Sequence, residues 1–469
     1  MTGQQLQDFY DANARARWLA LLSVCLAIFI TSVSMSAASI AIPSIARDLS
    51  ASAQAVSWIP TSFLWGNIVL LLPAGRLADT LGRKRMYVTG VSLFSLFSLC
   101  IFLVDEVDAL LTMRVFQGFS VALITATSMG IVGAVFANSN RGAALGLTSS
   151  SVYLGLSCGP IIGGWLTQEF GWRAVFWMPA PVMLVALLLI FSFVKGEWKT
   201  QTPEPLDKLG SVLFGAWVSA FFLGMSDVEE VGHLLLLGLG FGLLCVFLKQ
   251  QARATYPLIR IQALRANRTF SRSILSSFLM YSANFPIVFL MSLYLQYIHD
   301  LTPLEAGQLV LIQTFIMMLL APIAGRLSDR YEPRYLASIG CLSFALGLAI
   351  LLRLDMDTSL AYIFVGLVFL GIGFGLFSSP NNNAIIGSAA KDKLSIASAL
   401  VGLSRNMGNL FSTGIVMMLM SIMLGSESIG ADNLEQLLWV VKVVLVLTLL
   451  SALSACYFSF TRGQIHQAK

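Results

Sequence analysis

Apolar residues in this chain run in blocks of about 18 to 26, separated by short charged stretches, which is the pattern of helices crossing a bilayer. The blocks predict membrane-spanning helices over 18–43, 54–73, 86–104, 108–135, 142–167, 172–194, 209–225, 232–248, 273–297, 304–324, 335–352, 358–384, 394–424 and 434–460, fourteen in all. No connection between them is large enough to hold a folded domain. The expected fold is an all-α integral membrane protein. The first block, ending near Pro43, is too long for a signal-peptide core and has no cleavage-like flank, so it is read as the first span.

Charge sharpens the picture. Only 11% of the 469 residues are charged and 57% are apolar, whereas a soluble domain carries about 25% charged residues. A soluble enzyme is excluded. The net charge of +5 comes from basic residues in the short connections, so it signals orientation and not nucleic-acid binding. With the N-terminus in the cytoplasm, 23 of the 29 Lys and Arg residues fall on the cytoplasmic side, three outside (Arg47, Arg173, Arg353) and three within spans (Arg114, Arg405, Lys442). That asymmetry supports an even span count with both termini inside. None of the 24 carboxylates falls deeper in a span than its first two residues by this count. The six cysteines lie singly in apolar blocks, and His233, His299 and His466 stand alone, so no disulfide framework or metal site is expected. No Gly-x4-Gly-Lys-Ser/Thr loop for ATP is present.

An internal repeat is legible. Gly75-Arg76-Leu77-Ala78-Asp79 returns 250 residues later as Gly325-Arg326-Leu327-Ser328-Asp329, with Pro73 and Pro322 shortly before each copy. Two six-span halves alone would place the copies about 200 residues apart, and two extra central spans supply the remainder. The expected organisation is a first half at 1–200, two linking helices at 201–250, a basic cytoplasmic linker at 251–272 and a second half at 273–469. The linker's apolar residues after Pro257 could also form a short helix lying on anionic headgroups.

Gly75 to Arg85, including Gly82 and Arg83, resembles the loop signature of the major facilitator superfamily. Arg114-Val115-Phe116-Gln117-Gly118 resembles its fourth-helix motif. Gly155, Gly159, Pro160, Gly163 and Gly164 resemble the fifth-helix motif of its antiporters. Pro380 to Asn383 and Arg405-Asn406-Met407-Gly408 are similar to late helices of the fourteen-span drug:proton antiporter branch. The resemblance covers nearly the whole chain.

It implies a role for each motif. Gly75, Asp79, Gly82 and Arg83, with Gly325 and Asp329 in the second copy, would form a cytoplasmic latch. The glycines at 155, 159 and 163 lie on one helix face and would let two helices approach closely, with a bend at Pro160. Arg114 would take part in proton movement or gating, or would serve as a fixed hydrogen-bond hub with a neighbour such as Gln117. The second block carries Trp58, Thr61, Ser62 and Trp65 on one face, suited to a wet cavity for aromatic molecules. Ser34, Ser36, Thr61, Trp65, Gln117, Asn284, Gln313, Asn383, Arg405 and Asn406 are the substrate-binding candidates.

One departure matters. The family's membrane-embedded first-helix Asp commonly stands nine residues before the span-ending proline, and that position here is Ser34. Serine cannot carry a proton at physiological pH. Coupling would then run through Arg114 or boundary acids such as Asp79, Asp329 or Glu305, or through the substrate's own charge. The function expected is secondary active export of amphipathic or aromatic compounds from a cell, in a bacterial inner membrane, by alternating access against protons. No enzyme chemistry, cofactor, metal or nucleic acid is expected, and the partners are the substrate, protons and membrane lipids, with the monomer as working unit. A dedicated exporter of one anionic or neutral metabolite, such as a siderophore-like compound, a nutrient importer and a non-transporting sensor are the alternatives.

Overall fold

The computed structural model describes residues 9–136, 141–198, 205–227, 230–259, 267–388, 394–425 and 429–463. These residues form helices and their connections, with no strand among them. In chain order the helices are α1 (Ala14–Asp48), α2 (Ala53–Leu81), α3 (Arg83–Leu103), α4 (Val107–Val135), α5 (Arg141–Phe170), α6 (Arg173–Phe193), α7 (Lys208–Gly224) and α8 (Val231–Arg253). They continue as α9 (Arg268–Ile298), α10 (Pro303–Arg330), α11 (Pro333–Leu351), α12 (Leu360–Ser388), α13 (Leu394–Leu424) and α14 (Ala431–Thr461).

Among the described residues, twelve helices are long and apolar enough to cross a membrane. That is two fewer than the periodicity predicts. The block at 209–225 becomes α7, only 17 residues, or about 26 Å at 1.5 Å per residue, short of a hydrocarbon core of about 30 Å. The block at 142–167 lies in the 30-residue α5, several of whose side chains between 141 and 149 lie outside the described set. The expected interfacial segment after Pro257 also falls largely outside it, at 260–266.

The chain divides into two compact units. The first holds Met1–Leu49, Trp58–Leu223 and Leu235–Ile259, and the second Ser50–Ser57, Gly224–Leu234 and Arg260–Lys469. Within the first, α1 packs on α4, α5 and α6, while α3 packs on α4 and α6. Within the second, α9 packs on α12, α13 and α14, while α11 packs on α12 and α14. Adding eight to each helix number of the first unit gives the pairings of the second. The two units share one internal wiring.

Small residues explain why these pairs meet. With lipid on the outside there is little hydrophobic gain in helix association, so close van der Waals packing decides it. A Cβ on Gly155 of α5 would stand 2.5 Å from the Phe29 carbonyl of α1, and one on Gly408 of α13 the same 2.5 Å from the Phe278 carbonyl of α9. A Cβ on Gly90 would meet the Ser120 carbonyl at 2.9 Å, and one on Gly340 the Gly373 carbonyl at 2.7 Å. Gly118 lies against Phe63 of α2 as Gly371 lies against Gln313 of α10. Each crossing tolerates hydrogen and nothing larger.

In the first unit, α7 and α8 form a hairpin stitched by aromatic pairs, Phe214 with Phe247 and Phe221 with Phe241. Its polar end is tied by Asp207, whose carboxylate accepts from the Gly210 N–H and from the amides of Gln250 and Gln251. Only 11% of the apolar stretch of α8 is buried, against 61% for α1. The outer face of α8 therefore has the character of a lipid-facing surface.

Candidate functional site

The loop signature resolves into a clamp inside the first unit. Residues 75–81 continue α2, so the turn is confined to Gly82, at φ +113°. Glycine is required there, because other residues are strained at that φ and a Cβ would overlap the Glu197 side chain. Gly75 is helical and a Cβ there would face open space, and one on Gly325 would meet Ser379 at ordinary contact distance, so neither forms a turn. Arg83 donates to Asp79 at 3.1 Å and to the Gly130 carbonyl at 3.4 Å, which lays the guanidinium over α4.

The carboxylate of Glu197, beyond the end of α6, accepts from the backbone N–H groups of Lys84 (2.8 Å) and Arg85 (3.0 Å). It thereby satisfies two orphan donors of α3 and places negative charge at the positive end of the helix. The Arg83 N–H donates to the Trp198 carbonyl, and the Lys84 ammonium donates to the Val194 carbonyl. Sequence reasoning missed Glu197. Its only signal was a lone acid following an apolar block, and its target lies 113 residues away.

Near the loop, the Tyr10 hydroxyl donates to the Lys195 carbonyl and accepts from the Lys195 N–H. Burial pushes this phenol up to about 12. The side chain of Asp329, expected as the second copy of Asp79, lies outside the described residues.

Arg114 is fully buried within the first unit. Its Nε donates to the Ile59 carbonyl at 3.3 Å and a terminal nitrogen donates to Gln117 Oε1 at 3.0 Å. Gln117 in turn donates to Ser98 at 2.9 Å. The rings of Phe63 and Phe176 stand 4.4 and 5.4 Å from the guanidinium carbon. These contacts tie the guanidinium to α2 and, through Gln117, to α3. The Gln117 amide, expected to reach substrate, is committed to Arg114 and Ser98.

The glycine stripe of α5 is seated on α1. Beyond Gly155, a Cβ on Gly159 would stand 2.6 Å from that of Ser36, and one on Gly163 would stand 2.6 Å from the Ala37 Cα. Pro160 lies inside the helix and Gly164 is buried beside the stripe. Ser36, expected in a cavity, donates to the Leu156 carbonyl of α5 at 3.2 Å and belongs to this crossing. Ser34 is fully buried and its hydroxyl has no hydrogen-bond partner among the described residues.

One end of the expected aromatic cavity face of α2 lies against α7. Trp65 Nε1 donates to Ser219 of α7 at 3.1 Å, Val69 meets Gly215 one turn on, and Thr61 is fully buried. A face at i, i+4 spacing looks the same in sequence whether its neighbour is water or another helix.

In the second unit the structure brings two candidates together. Gln313 of α10 donates to Asn284 Oδ1 of α9 at 2.8 Å, and Gln313 Oε1 has no partner among the described residues. Asn383, exposed, donates to Ser328 at 2.5 Å, linking α12 to α10 beside the second copy of the signature. Glu305 closes a capping box with Thr302 at the start of α10, which accounts for its carboxylate structurally. Arg405 and Asn406 of α13 are half-buried and make no hydrogen bond or ion pair among the described residues.

A second buried arginine is, in sequence, only one of the 23 basic residues on the cytoplasmic side. Arg462, 1% exposed, donates to Asn381 Oδ1 at 2.6 Å and to Ser273 Oγ at 3.1 Å, joining the end of α14 to α12 and α9. Asn381 donates to the Ser273 carbonyl and completes the triangle.

Among the described residues no group of three or more His, Cys, Asp and Glu could hold a metal. Every carboxylate within a described helix lies in a terminal turn. The interior is polar through amides, hydroxyls and guanidinium groups, an inventory suited to binding and moving a solute.

Comparison with known proteins agrees. The chain is 28% identical to the riboflavin transporter RibZ of Clostridioides difficile (strain 630) over 401 residues, covering 84% of this chain and 86% of that one. It is also 28% identical to the tetracenomycin C resistance and export protein of Streptomyces glaucescens, over 87% of this chain and 77% of the relative. In fold it is similar to a bacterial homolog of the human lysosomal transporter Spinster in an inward-facing conformation, with a TM-score of 0.69 at 17% identity over 96% of this chain and 97% of that one. The sequence profile described as Major Facilitator Superfamily matches residues 24–413. The chain belongs to the Major Facilitator Superfamily and is a multi-pass, non-enzymatic membrane transport protein.

Proposed function

We propose that the chain is a fourteen-span exporter that moves amphipathic, aromatic small molecules out of a bacterial cell by alternating access, coupled to proton entry, and that it works as a monomer in the lipid bilayer. In this reading α5 and α7 span along with the twelve qualifying helices, α7 by locally thinning the bilayer or by its flanking residues reaching the interface. The halves are 1–200 and 273–469, the linking helices lie at 201–250, the basic linker at 251–272, and both termini face the cytoplasm.

The observation that carries the reading is the α1–α5 crossing. Three glycines, one per turn, press α5 onto α1, in the sequence pattern that resembles the antiporter branch. Relatives named for riboflavin transport and for tetracenomycin C export support a planar, hydroxylated aromatic substrate. Arg114 is held by Gln117 and the Ile59 carbonyl and Glu305 serves as a cap, so Asp79 is the coupling candidate this reading favours, exchanging its Arg83 partner for a proton.

The test is flux in proteoliposomes under an imposed pH gradient with an internal pH dye. Substrate-dependent proton movement that Asp79→Asn abolishes supports antiport. Substrate movement without protons sinks the coupling and leaves a facilitator. A dedicated exporter of one anionic or neutral metabolite is the second reading, favoured by the lack of a carboxylate beyond the terminal turns of the helices.

A further inference from the structure

We propose that Arg405 binds an anionic group of the transported molecule, so that the substrates are amphipathic aromatics bearing a carboxylate, phenolate or similar anion. This deepens the transport reading and rests on it. Two arginines stand deep in apolar helices, and the structure separates them. Arg114 is fully buried, donates to Ile59 and Gln117, and lies between two phenyl rings. Arg405 is half-buried and makes no hydrogen bond or ion pair among the described residues.

The helix geometry gives the place. α13 packs on α9 through Ser404, which donates to Ser277, through Gly408 against the Phe278 carbonyl, and through Phe411 beside the Phe278 ring. At about 100° per residue, Arg405, Asn406, Asn409 and Thr413 share an arc of about 100° turned away from that contact. Arg405 is the twelfth residue of α13, about 16 Å along the helix from its start. One turn on, Asn409 is 6% exposed and its Oδ1 has no partner among the described residues. The result is a cation flanked by amides and a hydroxyl on one helical face.

Charge at such depth is costly without a partner. With every helical carboxylate of the described residues in a terminal turn, the described helices supply no anion at this level. Water solvates the guanidinium between cycles and an anionic solute replaces it. The planar fork matches a carboxylate with two parallel N–H···O bonds, and the adjacent amides can orient a neighbouring hydroxyl or carbonyl.

The experiment uses the full chain in nanodiscs and three aromatic probes read by fluorescence: fluorescein (anionic), riboflavin (uncharged) and ethidium (cationic). Fluorescein is expected to bind at least about tenfold tighter than ethidium, a difference of about 1.4 kcal/mol. Arg405→Gln should weaken fluorescein by about tenfold with riboflavin held within about twofold, and Arg405→Lys should keep most of the anion affinity. Asn409→Asp keeps the arginine but sets a carboxylate one turn from it. This variant should show the same loss and improve ethidium. Equal weakening of all three probes by Arg405→Gln, unrescued by Lys, or fluorescein binding indifferent to both substitutions, overturns the proposal. Selective fluorescein binding without flux in proteoliposomes would sink the transport reading and leave the assignment of Arg405 standing. Ethidium flux preferred over fluorescein and unaltered by Arg405→Gln would do the reverse.

Discussion

A single buried side chain can organise a helix junction through its partners. Arg114 is such a case, because the Gln117 amide links its guanidinium to Ser98 on α3. Gln117→Ala leaves a buried N–H of Arg114 and the Ser98 hydroxyl unpaired, a cost of about 1–3 kcal/mol. The expected outcome is a lower melting temperature in detergent with substrate binding at Arg405 unaffected. Unchanged stability would mean that water enters the junction freely.

Tyr10 makes a separate residue-level prediction through pH. Its phenol is raised from 10.0 to about 12 by burial, so the folded protein holds that proton more tightly than the unfolded chain does. The stability it contributes is fully present below pH 10 and is lost as pH rises from about 10 through about 12. Tyr10→Phe should remove this component, seen as a wild-type-minus-variant melting difference that changes only in that window. A difference independent of pH would refute the assignment.

At the level of elements, the start of α3 is held by its backbone and by a distant carboxylate. Glu197→Gln keeps an acceptor oxygen but removes the charge facing the helix dipole, at a cost of about 0.3–2 kcal/mol. Glu197→Ala should cost more by leaving the N–H groups of Lys84 and Arg85 without their acceptor. Gly82→Ala combines positive φ with overlap against Glu197, and about 1–3 kcal/mol of strain is expected there. Thermal unfolding should therefore rank Gly82→Ala and Glu197→Ala below Glu197→Gln and the parent. If Glu197→Ala matched the parent, the carboxylate would be a bystander.

Across the whole molecule, two units of different sequence share one set of helix pairings and crossings. Gly155→Leu and Gly408→Leu probe equivalent positions, each against a backbone carbonyl at 2.5 Å. Both should push a helix pair apart, with comparable loss of stability and of flux. A large effect at Gly155 with none at Gly408 would show that the shared wiring does not carry equal weight. The Gly408 equivalence was invisible in sequence, because apart from the paired loop signatures the halves have diverged and only the glycines' positions against α1 and α9 align them.

Much of the architecture could be read from the chain. Long apolar blocks with charged breaks specify helices in lipid because every backbone polar group must be satisfied within its own segment. The all-helical, multi-pass fold, the 250-residue repeat and the transporter motifs followed from sequence. Span count was less secure: α7 is 17 residues long, near the limit where hydropathy alone decides. Side-chain partnership lay beyond the sequence altogether. Helical periodicity states which residues share a face but not what lies opposite, so Trp65 was assigned to a cavity and found against Ser219. The same ambiguity hid Glu197 at the α3 N-terminus and Arg462 among α9, α12 and α14. Tertiary structure alone gave Arg114 its Ile59 and Gln117 partners and left Arg405 with none among the described residues, because which side chains meet depends on where helices cross.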